Sequence, residues 1–133
     1  MYDFLQDEFD GIDDDNDMRV DMDLLIKAIS AEAKLASQSK VDLEDREAIM
    51  KGRELFDEIG CTDCHALGGW NSEDYSAPDL TGYGSREWML GIVHDPEHER
   101  FYGKKNDRMP AFGKDEKLTR RQMERIVDWL RGE

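Results

Sequence analysis

Both cysteines of the 133-residue chain lie in one five-residue stretch, Cys61-Thr62-Asp63-Cys64-His65, with a histidine directly behind the second. Three chemistries use such a stretch, and each needs a different surrounding fold. A zinc site would gather Cys61 and Cys64 with His94 and His98. The inner spacings suit two cysteines and two histidines, but the gap between the pairs far exceeds the usual ~12 to 15 residues and His65 is left without a role. A redox dithiol works best at a helix N-terminus packed on a parallel sheet, and no alternating strand and helix pattern provides one. Covalent attachment of a porphyrin uses all three residues. Two thiols three positions apart add across its vinyl groups, and the histidine that follows is held under the iron.

The pattern of apolar residues favours helices throughout, and no run alternates with period two. Asp21 to Leu35 places Leu24, Leu25, Ala28, Ile29 and Leu35 on one face, with aspartates in the first turn where the helix dipole favours them. After the polar stretch Ser37–Lys40 a second helix is predicted from Asp42 through Ile49, Leu55 and Phe56 to a stop at Gly60. A third runs from its Ser85 cap to Val93, ahead of Pro96, and the last from Thr119 to Arg131. There Thr119 and Gln122 form a capping box, and Met123, Ile126, Val127 and Leu130 make the apolar stripe. The predicted class is all-α: short helices joined by loops containing glycine and proline. Residues 46–133 have few apolar side chains for such a set, so a large apolar cofactor is expected to fill the centre.

A formal charge of −14 argues against general affinity for nucleic acid or anionic lipid. No apolar run approaches the ~18 residues of a membrane span, and Met1–Glu8 has neither the basic nor the apolar region of an export signal. Residues 1–45 hold 14 Asp/Glu against 4 Lys/Arg, whereas residues 46–133 hold 18 against 14. The expected organisation is an acidic, flexible segment over 1–20, a helix and linker over 21–45, and one domain over 46–133, the first 45 residues being an addition to it. Asp10–Asp17 resembles a calcium loop in composition only, because its glycine is misplaced and the closing glutamate is missing.

An iron held by His65 needs a second axial ligand, and a thioether stabilises the ferrous state. Met50, Met89 and Met123 fall on helical stripes, where methionine usually packs a core. Met109 lies in a loop 44 residues after His65, with Pro110 fixing the backbone behind it.

On these residues the span 46–133 resembles a class I mono-haem cytochrome c. Ala77-Pro78-Asp79-Leu80 is similar to the family's Gly-Pro-x-Leu, which implies that the Pro78 carbonyl accepts the Nδ1–H of His65 and that Leu80 packs on the haem edge. The resemblance also implies a crossing of the first and last domain helices, Gly52 and Phe56 meeting Trp129. It places Tyr83, Arg86 and Trp88 where propionate donors lie, Arg86 and Trp88 foremost. The stretches Gly82–Trp88 and Phe101–Pro110 look like cytochrome c domains joined to cytochrome b of quinol-oxidising complexes.

The resemblance implies one covalent haem c, with Cys61, Cys64, His65, Pro78, Leu80, Arg86, Trp88 and Met109 around it and with His65 and Met109 on the iron. It further implies an electron relay rather than an enzyme, on the periplasmic side of a bacterial membrane. A missing upstream signal or anchor would account for export and tethering. Expected partners are redox proteins, a cytochrome b-type quinol-oxidising complex and a terminal oxidase, with Lys104, Lys105 and Arg108 beside Met109 as a docking face. A haem sensor or enzyme, with an open sixth position and His94 or His98 on the distal side, is the alternative.

Overall fold

The computed structural model describes residues 16–69, 76–106 and 108–133. Among these residues five α-helices and two 3-10 turns occur and there is no strand, as an all-α fold requires. Helix α1 covers Asn16–Ala31, α2 Ser39–Glu44, α3 Arg46–Glu58, α4 Arg86–His94 and α5 Arg120–Arg131. One 3-10 turn, Cys61–Asp63, lies in the long connection before α4, and the other, Gly103–Lys105, in the connection after it.

Leu25 and Ala28 recur at the spacing that turns one face of α1 inward, and both are buried. That face crosses α3 at Gly52. A Cβ on Gly52 would stand 2.0 Å from the Leu24 carbonyl oxygen and 2.9 Å from the Ala28 methyl, so only glycine admits this approach. Leu25 then joins Leu55, Phe56 and Leu67 in one apolar cluster. The crossing expected between Gly52 and Trp129 is therefore not formed: α1 occupies the notch, and Trp129 is 79% exposed. A small residue advertises a close helix crossing but does not specify which helix makes it.

Glu32, just beyond α1, is 5% exposed. One carboxylate oxygen accepts from Arg53 of α3 and the other from the Gly82 N–H at 2.6 Å. The Arg131 guanidinium of α5 reaches the same region, donating to the Ala33 and Gly84 carbonyls at 2.9 and 2.6 Å. Packing therefore runs across the change of composition near residue 45. The aspartates of α1 set its charge while its apolar face sets its position.

Helix ends follow local chemistry where side chains cap them. The Ser85 hydroxyl accepts the Trp88 N–H at 3.2 Å, and both limbs of the Thr119–Gln122 capping box are present. Elsewhere the bounds differ from those expected. Helix α1 takes in residues 16–20 of the acidic segment, whose residues 1–15 lie outside the described residues. The helix predicted from Asp42 is split at Asp45, whose carboxylate pairs with Lys27 of α1 at 3.2 Å. Of the α5 stripe, Met123 and Val127 are buried, whereas Ile126 and Leu130 are exposed. No helix among the described residues is long and apolar enough to cross a membrane.

Candidate functional site

Gly60 ends α3 in the left-handed conformation and leads into the Cys61–Asp63 turn. The Cys64 and His65 N–H groups both donate to the Cys61 carbonyl, at 3.3 and 3.0 Å, so the two thiols and the imidazole share one tight bend. Both cysteines are free. Burial pushes the Cys61 thiol up, and neighbouring Cys64 adds to the rise. A nucleophilic redox dithiol needs the opposite shift.

The segment 76–80 is laid along this bend by its backbone. Ser76 and Ala77 donate to the Cys64 carbonyl at 3.1 and 2.8 Å, and Leu80 donates to the Ala66 carbonyl at 2.8 Å. His65 Nδ1 thereby stands 2.8 Å from the Pro78 carbonyl oxygen. A carbonyl only accepts, so Nδ1 carries the proton and Nε2 keeps its lone pair. That bond orients the ring and fixes its tautomer, as ligation of a metal requires. Leu80 and Cys61 both pack against the Leu25–Leu67 cluster.

Arg100 supports the same segment. Its carbonyl accepts from the Asp79 N–H at 2.9 Å, its guanidinium pairs with the Asp79 carboxylate at 3.2 Å, and it donates to the Thr81 carbonyl. Trp88 is buried between the edges of Tyr83 and Phe101, and its indole N–H donates to the Asp79 carbonyl at 2.8 Å. Arg86 pairs with Asp128 of α5, with Glu133 at 3.9 Å. Both residues expected to serve propionates are thus engaged within the chain. A buried indole N–H takes the nearest backbone acceptor, and an arginine in the first turn of α4 takes the carboxylate of the helix packed beside it.

Met109 is partly buried in the wall of a cavity of about 310 Å³, lined also by Tyr102, Lys105, Asn106 and Arg108. The His65 turn is not part of that lining; the two loops are joined through the Lys105 ammonium, which donates to the Ser76 carbonyl. Behind Met109 the chain is fastened to the end of α4. Gly113 and Lys114 donate to the His94 carbonyl at 3.2 and 3.0 Å, and a Cβ on Gly113 would lie 2.0 Å from His94 Nδ1. Lys114 pairs with Asp95 at 3.0 Å, which holds the Asp95 carboxyl below its ordinary range and the Lys114 ammonium above its own. His94 is thus seated on Gly113, and His98 Nδ1 accepts the Arg100 N–H at 3.2 Å. Among the described residues no three His, Cys, Asp or Glu side chains converge as a metal cage, so the four residues of the zinc reading are not brought together.

The donor set suits haem c: two unbridged thiols on one turn, an imidazole held through Nδ1, and a methionine in the wall of a cavity.

The sequence pattern of the family described as "Cytochrome C oxidase, cbb3-type, subunit III" matches residues 47–130, from α3 to the last turn of α5. The chain belongs to this family. Two curated relatives are the "Cbb3-type cytochrome c oxidase subunit CcoP" of Helicobacter pylori strain ATCC 700392 / 26695 and of strain 52. Each is 32% identical over 90 residues, covering 65% of this chain and 29% and 28% of the relative. The chain therefore spans less than a third of those relatives' length. No solved structure matches it. Membership makes the chain a class I cytochrome c domain, an electron-transfer haem c domain.

Three supporting residues escape the sequence reading. Glu32 has a signal, since it continues the Leu25–Ala28 spacing one residue past the end of α1 and is a buried charge. Asn106 stands three residues before Met109, a spacing at which an Asn side chain can bond nearby backbone. Arg100 has none, because its contacts join segments about 20 residues apart.

Proposed function

We propose that this domain passes single electrons through one haem c, attached by thioethers at Cys61 and Cys64 and ligated by His65 and Met109. When bound, the haem supplies a ferric/ferrous couple. His65 and Met109 would take the iron's two remaining ligand sites, so substrate would have no place on it and no general acid, base or nucleophile would be needed. The observation that carries this reading is the 2.8 Å contact between His65 Nδ1 and the Pro78 carbonyl, which leaves Nε2 for a metal. With two cysteines in the chain there is one attachment site, hence one haem. Residues 46–133 carry the ligands, and α1, Asn16–Ala31, lays its apolar face on α3.

The partner supported by the relatives' printed name is a cbb3-type oxidase, a terminal oxidase to which the domain delivers electrons. A cytochrome b-type complex is the donor suggested by the stretches around Gly82 and Phe101. Covalent attachment of haem c supports a working position on the extracytoplasmic side of a bacterial membrane. Lys104, Lys105 and Arg108 beside Met109 offer a basic face to the partner within an otherwise acidic chain.

The attachment is tested by acid–organic extraction of the purified protein with iron analysis. Colour that stays on the polypeptide at one iron per chain supports the reading. Haem that extracts freely, or zinc in place of iron, ends it.

A further inference from the structure

Met109 lies outside any helix, so its main-chain N–H and C=O have no helical partners. Both are taken by one side chain. Asn106 Nδ2–H donates to the Met109 carbonyl at 2.8 Å, and Asn106 Oδ1 accepts the Met109 N–H at 3.2 Å. A carboxamide offers a donor and an acceptor as a peptide group does, and closing both bonds on one residue restricts the chain on either side of its Cα. Pro110 continues the constraint, since its ring fixes its own φ and disfavours the helical region for Met109. Asn106 and Met109 also share the wall of the 310 Å³ cavity. Lys105, the neighbouring residue, ties the loop to Ser76, whose N–H donates to the Cys64 carbonyl. Hydrogen bonds, with the Lys105–Asn106 peptide link between them, thus lead from the attachment motif to the Asn106 carboxamide and on to Met109.

We propose that Asn106 is the positioning residue of the Met109 thioether, holding it toward the iron through the main chain without touching the metal. The proposal rests on the reading of Met109 as the sixth ligand. Either main-chain group of Met109, left without Asn106, is satisfied as well by water, so the ligand-off arrangement is no longer disfavoured.

The test uses the haem-loaded protein with Asn106→Ala, Asn106→Asp and Met109→Ala. Three readouts are followed: the far-red thioether-to-ferric-iron band, the rate of carbon monoxide binding to the ferrous protein, and the melting temperature. Loss of the two bonds should raise the ligand-off population about tenfold, seen as a weaker far-red band and a carbon monoxide rate about tenfold higher. Asn106→Asp keeps the acceptor for the Met109 N–H but turns a carboxylate oxygen toward the Met109 carbonyl. Its band should be weak near pH 7 and recover on acidification toward about pH 4, as protonation restores a donor. A purely structural role would lower the melting temperature and leave the band and its pH dependence unmoved.

An Asn106→Ala protein with the native band and no carbon monoxide binding overturns the proposal. Should Asn106→Ala fail to mature, an Asn106→Asp band that does not respond to pH overturns it instead. Met109→Ala separates the two readings: if its far-red band survives, the ligand assignment fails, whereas if it is lost while both Asn106 variants keep theirs, only the positioning role fails.

Discussion

The pair α1–α3 and the two ligand loops are held by different forces. In the pair, side chains interdigitate: Leu25, Ala28, Leu55 and Phe56 are buried, the backbones touch at Gly52, and Glu32 closes the end on Arg53 and Gly82. The described parts of the loops over 61–85 and 95–119 bury Ala66, Leu67, Pro96, Phe101 and Ala111, scattered along the chain rather than set as a helical stripe. They are laid in place by backbone and side-chain hydrogen bonds onto Cys64, Ala66, Asp79, His94 and Met109. Burial needs only an apolar stripe in each partner, whereas a hydrogen-bonded loop needs something to exclude water from its bonds. The helical pair can act as a frame, whereas on the proposed reading the loops would depend on the haem they hold.

The largest effect should come from denying the loops that group. Cys61→Ser combined with Cys64→Ser should abolish cooperative melting in calorimetry, because the remaining core is small for the length of chain. A double variant that melts near the native temperature would break the contrast, showing that the loops hold themselves. On the other side, Gly52→Ala forces a methyl into the Leu24 carbonyl and should cost about 3 kcal/mol or more by denaturant titration of the haem-loaded protein. A neutral result there would place α1 elsewhere in solution.

A smaller effect is expected at Glu32. Removing one member of a fully buried pair costs about 3 to 5 kcal/mol, but the Arg53 side chain is 46% exposed and can turn to water. Glu32→Ala should therefore cost about 2 kcal/mol, and Glu32→Gln less, since its amide oxygen can still accept from one of the two donors.

How far the sequence discloses this molecule follows the same division. The caps at Ser85 and Thr119 are legible because the donor and acceptor lie three residues apart. Cys61, Cys64 and His65 are legible because one turn of backbone carries them, and Pro78 because a short return brings it back to His65. The seat of α1 is not legible. Composition counts the aspartates that face water, while position is decided by a few apolar residues and a glycine in another helix. The partners of Arg86 and Trp88 are hidden for a related reason: both find acceptors inside the chain, Asp128 and the Asp79 carbonyl, and only folding brings those near.

The smallest effect concerns the fastening behind Met109. The Lys114 ammonium lowers the Asp95 carboxyl below its ordinary range, so the pair's contribution is present above the unfolded carboxyl pKa and is lost as pH falls through the depressed folded value. Lys114 is raised, so its share persists from low pH and is lost only as pH rises through its folded value, above the ordinary lysine range. Asp95→Asn should slightly flatten the acid limb of melting temperature against pH and leave the neutral optical spectrum unchanged. A change in the far-red band would show that this ion pair also governs the ligand.

The central claim is an iron closed on both faces, by His65 from one loop and Met109 from the other. Its most direct test is the optical spectrum of the ferric protein, followed by exposure of the reduced protein to carbon monoxide. A far-red thioether band in the ferric state and a ferrous spectrum that carbon monoxide does not shift are the expected results. A ferric protein without that band, whose ferrous form binds carbon monoxide at once, would contradict it.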